Sequence, residues 1–405
     1  MSKSILLGTI AICIMLTLGA CSNNTNNSDS HIKSIKFDLS KVRPIKRGSE
    51  LFSEISLVKL ETSPTVQIGE IIKIFVNASY IYISDGKSVY QFDVNGKYLN
   101  QLNSQGKGPG EYTGISDFVV AQNNTIEVLN TGQQKVIRFD RNFKFIDEYK
   151  VGRYTMNMAI HNNGTRLFHC GNDASGDQFD KILRFNNGIL AEGYLTIDKF
   201  KSEYLHFRRF DFFSYFNNGI LITDVHHDTV YHYSQKGFEP RYVMDIGKKA
   251  IPTQMYNKSY DHVADFSLNH LKGSGYIYGL LNFIETNKHL FFHFVEHTSV
   301  DDNEYGRKVP VYIHHNKLHN SNEVFYRIVD DVNFHGDPLI NEFTTFFSQP
   351  NGMVAYAYEA VEFIEMHNES SKRAAQQSNK TYIADELAQS TKPTDNHIIA
   401  IGRLK

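Results

Sequence analysis

The feature that most constrains this chain is a five-residue signature that returns at a nearly fixed interval. Val89-Tyr-Gln-Phe-Asp93, Val136-Ile-Arg-Phe-Asp140, Ile182-Leu-Arg-Phe-Asn186 and Val230-Tyr-His-Tyr-Ser234 place their fourth residues, Phe92, Phe139, Phe185 and Tyr233, at successive steps of 47, 46 and 48 positions. Short β-prone stretches ended by turn residues surround each signature. They are clearest in the first unit, where strands are expected near Glu70–Val76, Tyr80–Ser84, Ser88–Asp93 and Lys97–Leu102. Asn95-Gly96 between the last two is a strong two-residue hairpin signal. Four strands per period of about 40 to 50 residues, with almost no helix, is the pattern of a β-propeller. Chance alternation in a β-sandwich would not hold register over three successive steps.

Past the fourth unit the spacing breaks at Ile251–Gly275, which lacks strand alternation and carries a short helix signal over Tyr260–Leu271. A fifth unit resumes at Tyr278–Glu285. The sixth has Glu342–Ser348 and Gly352–Tyr358, then a polar, helix-permissive stretch, Glu359–Pro393, and a last strand at His397–Leu404. This unit lacks a fourth strand, and an orphan alternating segment, Ser53–Glu61, is free to supply it. Closing a ring in this way removes the edges that two terminal blades would otherwise present. The expected fold is all-β: a six-bladed β-propeller closed by an N-terminal strand completing the last blade, with two partly helical loop insertions.

The first residues specify a compartment. Lys3 precedes an apolar run from Ile5 to Leu18, shorter than the roughly 20 residues of a spanning helix, and small residues follow at Gly19 and Ala20. Leu18-Gly19-Ala20-Cys21 resembles the bacterial lipobox, which implies that Cys21 is acylated and becomes the membrane attachment. The expected organisation is a signal peptide over 1–20, a lipidated cysteine and flexible tether over 21–50, and the propeller over 51–405. With Cys13 removed and Cys21 lipidated, Cys170 is the remaining thiol, so no disulfide framework is expected. The formal charge of −2 and the lack of a basic cluster argue against nucleic acid as a partner.

Gly106-Lys-Gly-Pro-Gly-Glu-Tyr112, Tyr80-Ile-Tyr-Ile-Ser-Asp-Gly86 and the closing Asn396-His-Ile-Ile-Ala-Ile-Gly-Arg-Leu-Lys405 together resemble the six-bladed propeller lipoproteins common in Bacteroidota, related in fold to TolB-like and NHL-repeat propellers. The likeness spans nearly the whole mature chain. It implies an acylated protein of the cell envelope, on the outer membrane, and transfers no catalytic residue.

Candidate chemistry falls in loops. In propellers, ligands usually meet the face formed by loops joining second to third strands and one blade to the next. Both long insertions belong to that face, which suggests a lid over the channel. Arg153, Tyr154, Arg208, Arg209 and His226 belong there too, and the arginines could clamp a carboxylate or an acidic sugar. The favoured reading is a propeller without a cofactor that binds a small molecule, glycan or protein. The alternative is a calcium-dependent hydrolase or lyase with Asp117, Asn157, Asp211 and Glu342, near the starts of four innermost strands, as oxygen ligands. The glycines of Gly106–Gly110 miss both phosphate-loop spacings. His226-His227 and His314-His315 each offer at most one metal ligand on an extended chain.

Overall fold

A computed structural model describes residues 32–171, 180–197, 211–298, 308–335, 338–340, 344–349, 352–374 and 382–405. Its strands form six sheets whose blade strands pair antiparallel and, except for the strand that closes the sixth, follow one another in sequence from the innermost outward. The innermost strands of blades one to six are Lys73–Val76, Asp117–Val120, Asn157–Ile160, Phe213–Phe216, Ile277–Glu285 and Phe347–Ser348. The expected six-bladed propeller is therefore the observed fold.

The repeating signature is explained by packing. Phe92, Phe139, Phe185 and Tyr233 stand on the third strand of blades one to four, and each is almost wholly buried between neighbouring sheets. In blades one to three the ladder to the outermost strand carries an irregularity immediately before this aromatic, at Gln91/Phe92, Arg138/Phe139 and Arg184/Phe185. A bulge at one fixed place increases twist, which a blade needs in order to fan out from the axis.

Closure follows the sequence expectation. In blade six, Met353–Tyr358 pairs with Ile398–Leu404, and Ile398–Leu404 pairs with Phe52–Lys59, so the N-terminal strand is the outermost strand of the last blade. Gly96 seals the seam to blade one. Its φ of +85° suits the hairpin turn, and a Cβ there would stand 2.1 Å from the Lys59 carbonyl oxygen, so only glycine fits.

The stretch 21–50, read from sequence as a tether, contains two further strands. Lys33–Lys36 adds in parallel to the outer edge of blade four, and Val42–Arg47 to that of blade five. Each cloaks an edge that would otherwise be open to another chain. Ile35 is the only buried apolar residue of the first, and the second buries only Lys46, whose ammonium lies 2.8 Å from Glu50. Neither shows the alternation by which a strand is recognised.

Both insertions are partly helical and both pack down. Ala360–Ala374 and Ile383–Ser390 are helices, and Phe363 and Ala384 are wholly buried with Tyr356, Tyr358 and Phe334 in the core of the closing blade. The Asp385 carboxylate accepts from His335 Nε2 at 3.1 Å and His367 Nε2 at 2.9 Å, tying both helices to the connection after blade five. In the other insertion, Ile251, Tyr260, Phe266 and Leu271 form a small core with Tyr276 and Tyr278 at the start of blade five. In place of a lid, the described contacts give braces on the blades.

Candidate functional site

Because strands alternate in direction, loops joining first to second and third to fourth strands share one face, and the remaining loops share the other. The expected ligand residues map to the second of these faces. Arg153, 8% exposed, and Tyr154, 47% exposed, lie on the connection from blade two to blade three. His226 lies on the loop between the second and third strands of blade four. There its Nδ1 is 2.9 Å from Tyr256 Oη, and Tyr256, Phe266 and Tyr278 surround its ring. Burial pushes the His226 imidazole down to about 3, so it is neutral and serves as an anchor for the 251–275 insertion. Beside it, Lys181 and Asp224 form a buried ion pair. Arg208 and Arg209 lie outside the described residues.

At the axis, the starts of the innermost strands bring charges together. Lys73 Nζ is 2.7 Å from Asp117 Oδ1, and Asp117 Oδ2 accepts from the Met158 N–H at 2.8 Å, so one carboxylate links blades one, two and three. Burial would lower the Lys73 ammonium, but Asp117 and Asp211 hold it above its ordinary value. Asp211 is raised by burial and by Asp117, against the pull of Lys73. Asn157, 7% exposed, keeps Oδ1 without a partner among the described residues.

This geometry bears on calcium. A calcium site draws six to eight oxygens around the ion, whereas the Asp117 carboxylate is already met by an ammonium and a backbone N–H. Among the described residues no group of three or more His, Cys, Asp or Glu is arranged to hold a metal, and Glu342 lies outside them. The described residues fit an ion-paired layer in the channel better than a metal cage. Lys73 was missing from the sequence reading, although it opens the innermost strand of blade one just as Asp117 opens that of blade two.

The opposite face holds a cavity of about 1260 Å³. Its rim is formed by the first-to-second-strand loops of the blades, at Asn77, 121–125, 161–164, 217–219, 286–288 and Gly352. Asparagine recurs there because the turns require it. Asn77 Oδ1 accepts from the N–H groups of Ser79 and Tyr80 at 2.9 Å, and Asn123 and Asn163 cap their own turns at 3.0 Å. Asn124, Asn217 and Asn218 hold φ of +61°, +47° and +60°, which asparagine tolerates better than other side chains. The result is a mouth ringed with amides.

The wall beneath is aromatic, with Phe75, Tyr215 and Phe216, and its two carboxylates, Glu127 and Glu285, are each met by cations. Glu127 receives the Arg166 guanidinium on both oxygens, with Nε at 3.1 Å. Glu285 accepts from Arg241 at 2.8 and 2.7 Å, from Lys317 at 2.7 Å and from Tyr242 Oη at 2.7 Å. Tyr215, which burial raises to about 12, borders both the cavity and the Lys73 layer. Sequence reasoning passed over this face. The available signal was the recurrence of Asn77, Asn123-Asn124, Asn162-Asn163, Asn217-Asn218 and Asn287 at equivalent places in five blades.

Residues 35–403 match a family profile described as a domain of unknown function, DUF4934. No curated protein matches the chain. Among solved structures, a Bacteroides fragilis protein named for its inferred export superposes with a TM-score of 0.69 at 15% identity, over 92% of this chain and 99% of that one. A DUF4221 member from Bacteroides vulgatus superposes at 0.45 and 9% identity, over 88% of this chain and 97% of its own. Virginiamycin B lyase from Staphylococcus aureus does so at 0.43 and 10%, over 86% and 99%. The first likeness supports the fold, and the other two are too distant to bear on function.

Proposed function

The chain belongs to the DUF4934 family, and from that premise we propose that it is an exported binding propeller whose ligand seats in the amide-ringed cavity on the first-to-second-strand face. The observation that carries this reading is the cavity itself. Small-molecule sites run from about 300 to 1,000 Å³, and this one, at about 1260 Å³, has room for something larger than a drug-sized molecule. Its two buried carboxylates are each locked by an arginine, Glu127 by Arg166 and Glu285 by Arg241, an arrangement suited to holding a wall rather than moving a proton. Asn287 is exposed on the rim, and Asn287→Trp should plug the mouth. The expected outcome is loss of ligand binding in calorimetry with an unchanged melting temperature. Retained affinity would place the site elsewhere.

Attachment to the outer membrane through a lipid on Cys21 belongs to the same proposal. Leu18-Gly19-Ala20-Cys21 and the polar segment after it support this, as does the export named for the Bacteroides fragilis protein. Cys21→Ser should move the protein from the membrane fraction to the soluble one and remove the mass of the acyl chains from its N-terminal peptide. An unchanged mass would refute acylation.

A further inference from the structure

Resting on the attachment at Cys21 proposed above, we infer that the N-terminal arm, Lys33–Arg47, is a membrane-facing surface that lays the rim of blades four and five on anionic lipid headgroups. The chain is close to neutral overall, yet residues 33–47 hold six cations, Lys33, Lys36, Lys41, Arg43, Lys46 and Arg47, against Asp38 alone. The expectation of no basic cluster therefore holds for the chain as a whole and fails in the arm. The arm is also held down. Ile35 is buried, Phe37 sets its ring 6.3 and 5.7 Å from those of Phe292 and Phe294, and the Lys36 carbonyl accepts from Asn322 Nδ2 at 2.5 Å. Of the six cations only Lys46 is buried, against Glu50 and Glu323, and the other five are exposed. Lys36 and Lys41 lie 3.4 Å from Asp245 and 3.5 Å from Asp38 but keep 81% and 83% side-chain exposure, and surface pairs of this kind are weak. Arg327, opposite Ile45 in the ladder, adds a further exposed cation. Asp38, Asp245, Glu50 and Glu323 offset part of this charge and leave the rim positive.

The position of the arm in the chain selects the partner. The eleven residues from Ser22 to Ile32 span at most about 40 Å when fully extended, so a lipid on Cys21 keeps the arm near a bilayer and raises its effective concentration there. Anionic headgroups attract basic segments beside an anchor. Pro44 and Ile45, both exposed among the cations, supply the apolar contact that enters an interface. A nucleic acid has no such tether to bring it. Because the outer strands form the rim, contact through them leaves both faces of the propeller open to solution, the cavity mouth included.

The chain has no tryptophan, so one introduced at the arm is an unambiguous reporter. Ile45→Trp protein, otherwise wild type and purified from membranes, is placed on vesicles of phosphatidylcholine alone or of equimolar phosphatidylcholine and phosphatidylglycerol. Cosedimentation with the neutral vesicles reads the anchor, and quenching of the indole by brominated lipid reads the arm. The inference predicts quenching only with phosphatidylglycerol, reversed by high salt. Replacing Lys33, Lys36 and Lys41 together by Gln should lower the ratio of docked to undocked arm about a hundredfold without changing the melting temperature. Pro44→Trp, at the next exposed position, is a second reporter should Ile45→Trp disturb the strand. Failure to sediment with neutral vesicles would refute the anchor, and the arm would still be read from quenching on the anionic ones. Absence of quenching there, equal quenching on neutral vesicles, or quenching that survives the triple substitution would overturn the inference. Displacement by duplex DNA at equal phosphate concentration would reassign the surface to nucleic acid.

Discussion

Glu285→Ala is expected to destabilise the protein by about 3–5 kcal/mol, the usual cost of removing one partner from a buried charge cluster. Its side chain has no solvent exposure and accepts four hydrogen bonds, two from Arg241 and one each from Lys317 and Tyr242. Alanine would strand two cations, Arg241 at 28% and Lys317 at 17% side-chain exposure. Both also rest on the face of Phe216, at 5.1 and 4.7 Å, so their release would loosen a wall of the cavity as well. Glu285→Gln, which keeps the shape and loses the charge, should fall between wild type and alanine. Burial alone would raise this carboxyl, but Arg241 and Lys317 hold it below its ordinary value. Its contribution is therefore present above the unfolded carboxylate range and is lost as pH falls through the lower folded value. Denaturant unfolding of the three proteins at neutral and acid pH measures both effects. A gap between wild type and Glu285→Ala that does not narrow on acidification would contradict the account.

Phe52→Ala should cost a similar amount, about 3–5 kcal/mol, and should do so at the seam. Phe52 is 2% exposed on the closing strand and packs with Leu51, Ile55, Tyr356 and Leu404. Gly402 makes room for it, since a Cβ there would approach the Phe52 ring to 3.0 Å. Truncation would leave a cavity and weaken the strand that covers Ile398–Leu404. Once that strand peels away, an open edge is exposed to other chains. The expected signature is a lowered unfolding midpoint together with light scattering that grows with protein concentration. An equally large loss of stability without aggregation would mean that closure does not depend on this strand.

The fold was legible because its repeat writes itself into single buried residues. Phe92, Phe139 and Phe185 recur because each blade needs a large aromatic at the same bulged place. The closing strand was legible because blade six was one strand short and Phe52–Lys59 alternates. The two outer strands at Lys33–Lys36 and Val42–Arg47 were not, because parallel addition to an edge is dictated by the edge rather than by a hydrophobic pattern in the added strand. The channel layer was half legible. Asp117, Asn157 and Asp211 were placed at the axis, but the Lys73 ammonium that redefines Asp117 comes from another blade, and no local pattern announces such a pair.

The face of the site was the least legible part. Asn-rich turns read as turns, which they are, and only the ring arrangement makes five of them into one mouth. Arg153, Tyr154 and His226 lie in loops of the face that carries the long 251–275 insertion. The structure uses the imidazole of His226 to hold an insertion in place. Arg208, Arg209 and Glu342 fall outside the described residues.

The central claim is that ligand is taken at the first-to-second-strand face, and hydrogen exchange in the presence of a panel of oligosaccharides and peptides tests it most directly. The account predicts new protection at 121–125, 161–165, 217–219 and 286–288, with 224–228 and 247–275 unchanged. Protection confined to 224–228 and 247–275 would contradict it.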